Sequence, residues 1–257
     1  MRVGPWSGCV EVLPPGRPVD LPRLDRLGRS QYYFAMDKRA IIFDLDGVLT
    51  DSEGLHIQAW QELMAARGLP FEPRWACEWV GVPDIEIASL VFRRFAVGAA
   101  AAGLLEEKRR LFRGLVASGL EPFAGVAAEL GKCLAASIPM AVGTCSARAE
   151  AELMLQVTGL ATHLPVVVAG DEVPRVKPAP DIYLKAAALL GIPPVRCLVL
   201  EDSPAGIASA RAAGMSVFAV PTSFSPDRLV EAQRVFDSPA EAIAWLRSTA
   251  ASRAAST

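Results

Sequence analysis

Asp44 and Asp46 stand two residues apart at the end of an apolar run, Ile41-Ile42-Phe43, and a glycine follows them at once. Side chains of a strand alternate faces, so both carboxylates point the same way where the strand gives out, and Gly47 lets the backbone turn sharply beside them. In open parallel sheets, ligand sites lie at such carboxyl ends. Two ionised carboxylates about 6 Å apart repel by roughly 3 kcal/mol at an effective dielectric of 20. They share a site when a cation enters or when one keeps a proton, and both arrangements suit phosphoryl chemistry. An Asp-x-Asp taken alone is matched equally well by two solvated acids at a strand end.

Three further groups follow down the chain. The apolar residues 138–142 run into Gly143-Thr144-Cys145-Ser146 and a helical pattern over 147–157, with Gly159 as its C-terminal stop. A hydroxyl there sits at a helix N-terminus, where free N–H groups and a positive dipole make an anion site. Lys177, in Val176-Lys177-Pro178-Ala179-Pro180-Asp181, precedes a helix that Gly191 ends, and offers a point charge to a phosphate. A buried strand predicted over 195–200 ends in Glu201-Asp202, with Ser203 as N-cap and Pro204 at the first helical position. Taken singly, Thr144 is a cap, Lys177 a surface charge and Glu201-Asp202 a polar turn. Four such signals at successive strand ends point to one site.

In this order, Asp44-Leu45-Asp46-Gly47-Val48, Thr144, Lys177 within Lys-Pro-Ala-Pro-Asp, and Glu201-Asp202-Ser203-Pro204-Ala205-Gly206 resemble the four motifs of the haloacid dehalogenase superfamily, specifically its phosphatases and phosphomutases. The resemblance covers most of the chain. It implies an α/β fold, a doubly wound, Rossmann-like parallel sheet core over 37–53 and 121–250, with an inserted all-helical cap domain over 54–120. The sequence has room for that cap: helical patterns run over 54–67, 84–95 and 104–116, with turns at Gly68-Leu69-Pro70 and Gly81-Val82-Pro83.

The resemblance also implies roles. Asp44 is the nucleophile that becomes an aspartyl-phosphate, and Asp46 is the general acid and base. Mg²⁺ is held by Asp44, the Asp46 carbonyl and Asp202, with Glu201 a direct or water-mediated ligand. Thr144, Cys145 through its backbone, and Lys177 hold the phosphate oxygens. The chemistry agrees. A carboxylate forms a mixed anhydride that hydrolyses readily, hard oxygen ligands suit Mg²⁺, and an Asp46 kept partly protonated by its neighbour's charge can serve the leaving oxygen. His56, ten positions after Asp46, either reaches into the cleft or stacks on Trp60 one turn later. Arg148, on the first turn after Thr144, is a second candidate substrate contact. Asp84, Arg93 and Arg94 read as a solvated helix face, and His163 as structural.

Composition narrows the function class. With 52% hydrophobic and 21% charged residues in 257, the chain can bury a substantial core. A net charge of -2 with scattered basic residues gives no footprint for nucleic acid or an anionic membrane. The longest apolar stretch, 95–105, is far shorter than the roughly 20 residues of a membrane span. Five cysteines without a Cys-x-x-Cys pair read as reduced residues of a cytoplasmic protein. Cys145 is the exception to watch, since a helix N-terminus can lower a thiol pKa. Residues 1–36, rich in proline and without periodicity, read as a loose tail or as sequence upstream of a true start at Met36. The expected form is a monomer or weak dimer.

The leading expectation is therefore a Mg²⁺-dependent phosphatase acting on a small phosphorylated metabolite, a sugar or polyol phosphate. The alternative is a phosphomutase like β-phosphoglucomutase, whose cap carries an arginine for the distal phosphate. The matching position here is Asp84, which argues against a mutase. A phosphonate hydrolase wants a cap lysine, and the cap offers only Lys108, in a strongly charged run. A phospho-receiver domain lacks both the Asp-x-Asp strand and the helical insertion.

Overall fold

A computed structural model of the chain describes residues 39–95 and 101–251. The expectations for the tail over 1–36, for Cys9 and for Met36 lie outside the described residues.

Five apolar runs become parallel strands: β1 (Ala40–Phe43), β2 (Met140–Gly143), β3 (Val167–Val168), β4 (Cys197–Glu201) and β5 (Ser216–Ala219), in the order β3-β2-β1-β4-β5. The helices are α1 (Glu53–Ala66), α2 (Trp75–Glu78), α3 (Asp84–Phe95), α4 (Ala101–Gly119), α5 (Val126–Ala135), α6 (Arg148–Val157), α7 (Asp181–Leu190), α8 (Pro204–Ala212) and α9 (Pro239–Ala251). The register sets Phe43 beside Val142 and Leu200, so β1, β2 and β4 end side by side. This is the doubly wound α/β architecture expected from the sequence.

A parallel sheet is covered on both faces, which is why its strands read as unbroken apolar runs. Alternation divides β1 between two layers. Ile41 and Phe43 pack with Val142, Leu200, Val126 of α5 and Ile243 of α9, whereas Ala40 and Ile42 pack with Ile182 and Tyr183 of α7 and Ile207 of α8. Two strands start later than predicted, and proline accounts for both. Pro139 has no N–H to give a ladder, and β2 begins just after it. Pro193-Pro194 leads into a single 3₁₀ turn over Pro194–Arg196 that leaves Val195 76% exposed, so β4 begins at Cys197.

Among the described residues between β1 and α5, the regular elements are helices. α3 matches its expected span, α1 keeps its expected length but starts one residue earlier, α4 extends three residues past each of its expected ends, and the short α2 escaped prediction. These helices have their own apolar cluster of Trp60, Leu63, Met64, Trp75, Trp79, Ile87, Val91, Leu104 and Leu105. α4 belongs to both halves: Leu104 and Leu105 pack in that cluster, while Phe112 and Val116 pack in the core layer against the sheet. No helix among the described residues is long and apolar enough to cross a membrane.

Candidate active site

The site forms where β1, β2 and β4 end. Past Asp46 the chain turns at Gly47, whose φ of +72° favours glycine; a Cβ there would also lie 1.8 Å from Asp202 Oδ2. Gly206 plays the same part on α8, where a Cβ would lie 1.7 Å from Glu201 Oε1. Both glycines let backbone approach a carboxylate.

Asp44 is buried beside Lys177, with its Oδ1 2.9 Å from Nζ. Lys177 Nζ also donates to Glu201 Oε1 at 2.7 Å. Burial works against the lysine charge, but Asp44 and Glu201 outweigh it and hold its pKa well above the usual range. Glu201 is fully hydrogen-bonded. Tyr183 Oη donates to Oε1 at 2.5 Å, and Oε2 accepts from the Asp202 and Ser203 amides and the Ser203 hydroxyl. These donors and Lys177 overcome burial and lower its pKa. Asp44 and Asp202 go the other way: burial, then neighbouring negative charge, pushes both carboxyls well above the carboxylate range, with Lys177 only partly opposing at Asp44.

Oxygens of Asp44, Glu201 and Asp202 lie within 4.8 Å of one another. Three buried acids against one lysine leave an excess of negative charge, which a divalent cation relieves, and the donor set is the hard-oxygen kind that Mg²⁺ takes. The residues therefore fit the metal that the sequence reading implied.

Asp46 differs from expectation. Burial would raise its pKa, yet His56, Ser52 and Ser146 lower it strongly, so it is held as the carboxylate rather than partly protonated. Its Oδ1 accepts from Ser52 Oγ at 2.5 Å and lies 3.3 Å from His56 Nε2; its Oδ2 accepts from Ser146 Oγ at 2.8 Å and Thr144 Oγ1 at 3.2 Å. The donors outweigh burial at Asp46, and the repulsion between the two acids falls on Asp44, whose carboxyl the Asp46 charge helps to raise.

Above Asp46 the helical insertion supplies a chain of contacts. His56 reaches the cleft and its ring stacks on Phe112, centroids 3.9 Å apart, not on Trp60. Its Nδ1 lies 2.5 Å from Lys108 Nζ, which donates to Asp84 Oδ2 at 2.6 Å, and Asp84 Oδ1 accepts from Trp60 Nε1 at 2.9 Å. Asp84 is thus no solvated charge, and its carboxylate is already paired. Burial opposes the ionised form, but Lys108, His56 and Trp60 lower its pKa. Lys108, read as part of a charged run, is fully buried.

The cleft brings together Asp44, Asp46, Thr144, Cys145, Lys177 and Asp202, with His56 overhead. Arg148 does not line it. Its guanidinium turns to the Val167 carbonyl at 2.8 Å and Glu172 at 2.6 Å, tying α6 to the end of β3, and these acceptors occupy it. Cys145 opens to the cleft, but desolvation there pushes its thiol up to about 11 rather than down. Arg94 pairs with Glu72 on the surface and Arg93 is exposed, as expected. His163 sits near Gly131 of α5 and does not line the cleft.

Sequence reasoning missed Ser52, Ser146, Tyr183 and Lys108. A signal for Lys108 existed: it is four residues after Leu104 and four before Phe112, on the apolar stripe of α4. The two serines carry no such mark, since their partner is defined only once the chain folds.

A family model described as haloacid dehalogenase-like hydrolase matches residues 41–220. The chain is 37% identical over 175 residues to the fructose-1-phosphate phosphatase YqaB of Escherichia coli, covering 68% of this chain and 92% of that protein. It is 34% identical over 202 residues to hexitol phosphatase A of the same organism, covering 78% and 91%. Among solved structures, CbbY from Rhodobacter sphaeroides in complex with phosphate superposes with a TM-score of 0.73 at 29% identity, covering 79% of this chain and 96% of that one.

Proposed function

Because the chain belongs to the haloacid dehalogenase-like hydrolases, and among them to the phosphoric monoester hydrolases, we propose that it is a Mg²⁺-dependent phosphatase of sugar or polyol phosphates working through an aspartyl-phosphate at Asp44. The observation that carries this reading is the buried Asp44 carboxylate, 2.9 Å from Lys177 and grouped with the Asp202 carboxylate within 4.8 Å. That carboxylate is desolvated and aimed into the cleft, as an in-line nucleophile needs to be.

Asp44, the Asp46 carbonyl and Asp202 would hold the metal, with Glu201 behind them fixing Lys177 and the turn at Ser203. A bound Mg²⁺ supplies charge neutralisation between the nucleophile and the phosphoryl oxygens. Lys177, Thr144 and the Cys145 backbone hold the oxygens on which charge accumulates. Asp46, held as the carboxylate, serves first as the anchor of Ser52, His56 and Ser146, and its proton for the leaving oxygen arrives through His56 or with the substrate. The same carboxylate, once the alcohol has left, activates the water that hydrolyses Asp44 phosphate. The helical insertion acts as a cap that sets substrate choice.

The test is phosphate release from a panel of sugar, polyol and aryl phosphates in Mg²⁺, then in chelator, then with Mg²⁺ restored. Loss and recovery of activity across the panel is the expected result. Full turnover in chelator would overturn the metal assignment, and an isomerised sugar phosphate formed faster than orthophosphate would make the protein a mutase.

A further inference from the structure

We propose that Arg109, on α4, binds a second anionic group at the far end of the substrate, a phosphate or a carboxylate, and so selects doubly anionic sugar derivatives. The inference rests on the phosphatase reading of the same cleft and narrows its substrate class.

Arg109 lines the cleft and is half-buried. Its guanidinium has no hydrogen bond or ion pair among the described residues, whereas the cations around it are spent. Lys108 is taken by Asp84 and His56, Arg113 by Glu150 at 2.6 Å and Glu106 at 3.1 Å, and Lys177 by Asp44 and Glu201. Of the cleft-lining side chains, Arg109 is thus a cation still free to meet a ligand. A guanidinium in a partly desolvated cleft favours a planar or tetrahedral oxyanion, which it meets with two parallel N–H bonds.

Two of the acids in the same cleft are already paired with cations. Asp84 is ion-paired with Lys108 and accepts from Trp60, so the carboxylate at that position does not repel a distal anion. Glu150 shares its charge with Arg113, although its Oε2 is buried and without a partner. That oxygen and the Asp171 carboxylate, which accepts the Arg148 amide, are protein groups that would compete for Arg109, and Glu53, which also lines the cleft, is raised in pKa chiefly by burial. Arg109 lies on the helical insertion and Asp44 on the core, so a substrate with anions at both ends would bridge the two halves.

The experiment compares kcat/KM for matched pairs, pentose and hexose monophosphates against the corresponding bisphosphates and phosphorylated sugar acids, in wild type, Arg109→Gln and Arg109→Lys, with p-nitrophenyl phosphate as a reference lacking a second anion. Wild type should favour at least one doubly anionic class by about 10-fold to 100-fold, the worth of one charge-assisted contact. Arg109→Gln should erase that preference through KM and Arg109→Lys should keep part of it, each read relative to the same variant's kcat/KM for the aryl phosphate. The bisphosphate and sugar-acid arms separate the two anions. Equal kcat/KM across the pairs in wild type, or a preference that survives Arg109→Gln, overturns the assignment. So does a loss of melting temperature in Arg109→Gln that Glu150→Gln reproduces, which would mean that Arg109 serves Glu150. Absence of aryl phosphate hydrolysis in Mg²⁺ would be a failure of the phosphatase reading itself.

Discussion

At the end of the sheet, each reactive side chain is placed by the strand or turn that carries it, whereas beneath the helical insertion the charged side chains are placed by one another. Asp44, Thr144, Lys177 and Asp202 sit within a residue or two of the ends of β1, β2 and β4 or at the approach to α7, so their positions follow from the parallel register. His56, Lys108, Asp84 and Trp60 come from three helices, and they meet only because Nδ1, Nζ, the carboxylate and the indole N–H complete each other's bonding. The first arrangement tolerates excess negative charge and keeps it for chemistry. The second has its charges paired and serves to hold shape, leaving Arg109 beside it open.

Removing a group from each region should therefore give opposite signatures. Asp44→Asn is expected to lower turnover by about four orders of magnitude or more on every substrate, since an amide forms no acyl phosphate. It should not lower the melting temperature of the metal-free protein, because Asp44 is a desolvated acid whose charge costs stability. A large fall in stability would break the comparison. Lys108→Met should do the reverse. It strands Asp84 beside apolar walls and should cost about 3 kcal/mol, the low end for a broken buried pair because Trp60 still donates to Asp84. Aryl phosphate hydrolysis should survive in the folded fraction, measured below the shifted melting temperature, and restoration of stability in Lys108→Met with Asp84→Asn would sharpen the point. The smallest effect concerns Cys145. With its thiol pushed up to about 11, little thiolate exists at neutral pH, so alkylation should be slow at pH 7 to 8 and rise only as pH approaches that value. Rapid labelling at pH 7 would show that the turn after β2 lowers a thiol pKa after all. Burial likewise pushes Cys197 up to about 12, in keeping with its reading as an inert core residue.

The same division decides what could be read from the chain. A strand ending in acids next to glycine is a local pattern, and Asp44, Asp46, Glu201 and Asp202 announced themselves through it. Ser203 also appears as predicted, capping α8 by accepting from the Gly206 amide at 3.0 Å. The ionisation of Asp46 did not, because Ser52 and His56 at the start of α1 and Ser146 in the turn after β2 meet it only in the folded chain, and together they outweigh the effect of burial. Lys108 was hidden by its neighbours Glu106, Glu107, Arg109 and Arg110, whose composition suggests solvent while the helical period points inward. Arg148 failed for a related reason. Its position near Thr144 was right, but a long side chain goes where acceptors are, and Glu172 and the Val167 carbonyl lie on the other side.

α4 is one unbroken helix of 19 residues, about 28 Å long at the usual rise, with its first turns in one apolar cluster and its last turns in the other. Neither half can melt without fraying the beam they share. The two should consequently unfold as a single cooperative unit, giving one calorimetric transition, and a glycine pair placed at Arg110 and Leu111 should split that transition by uncoupling the insertion from the sheet.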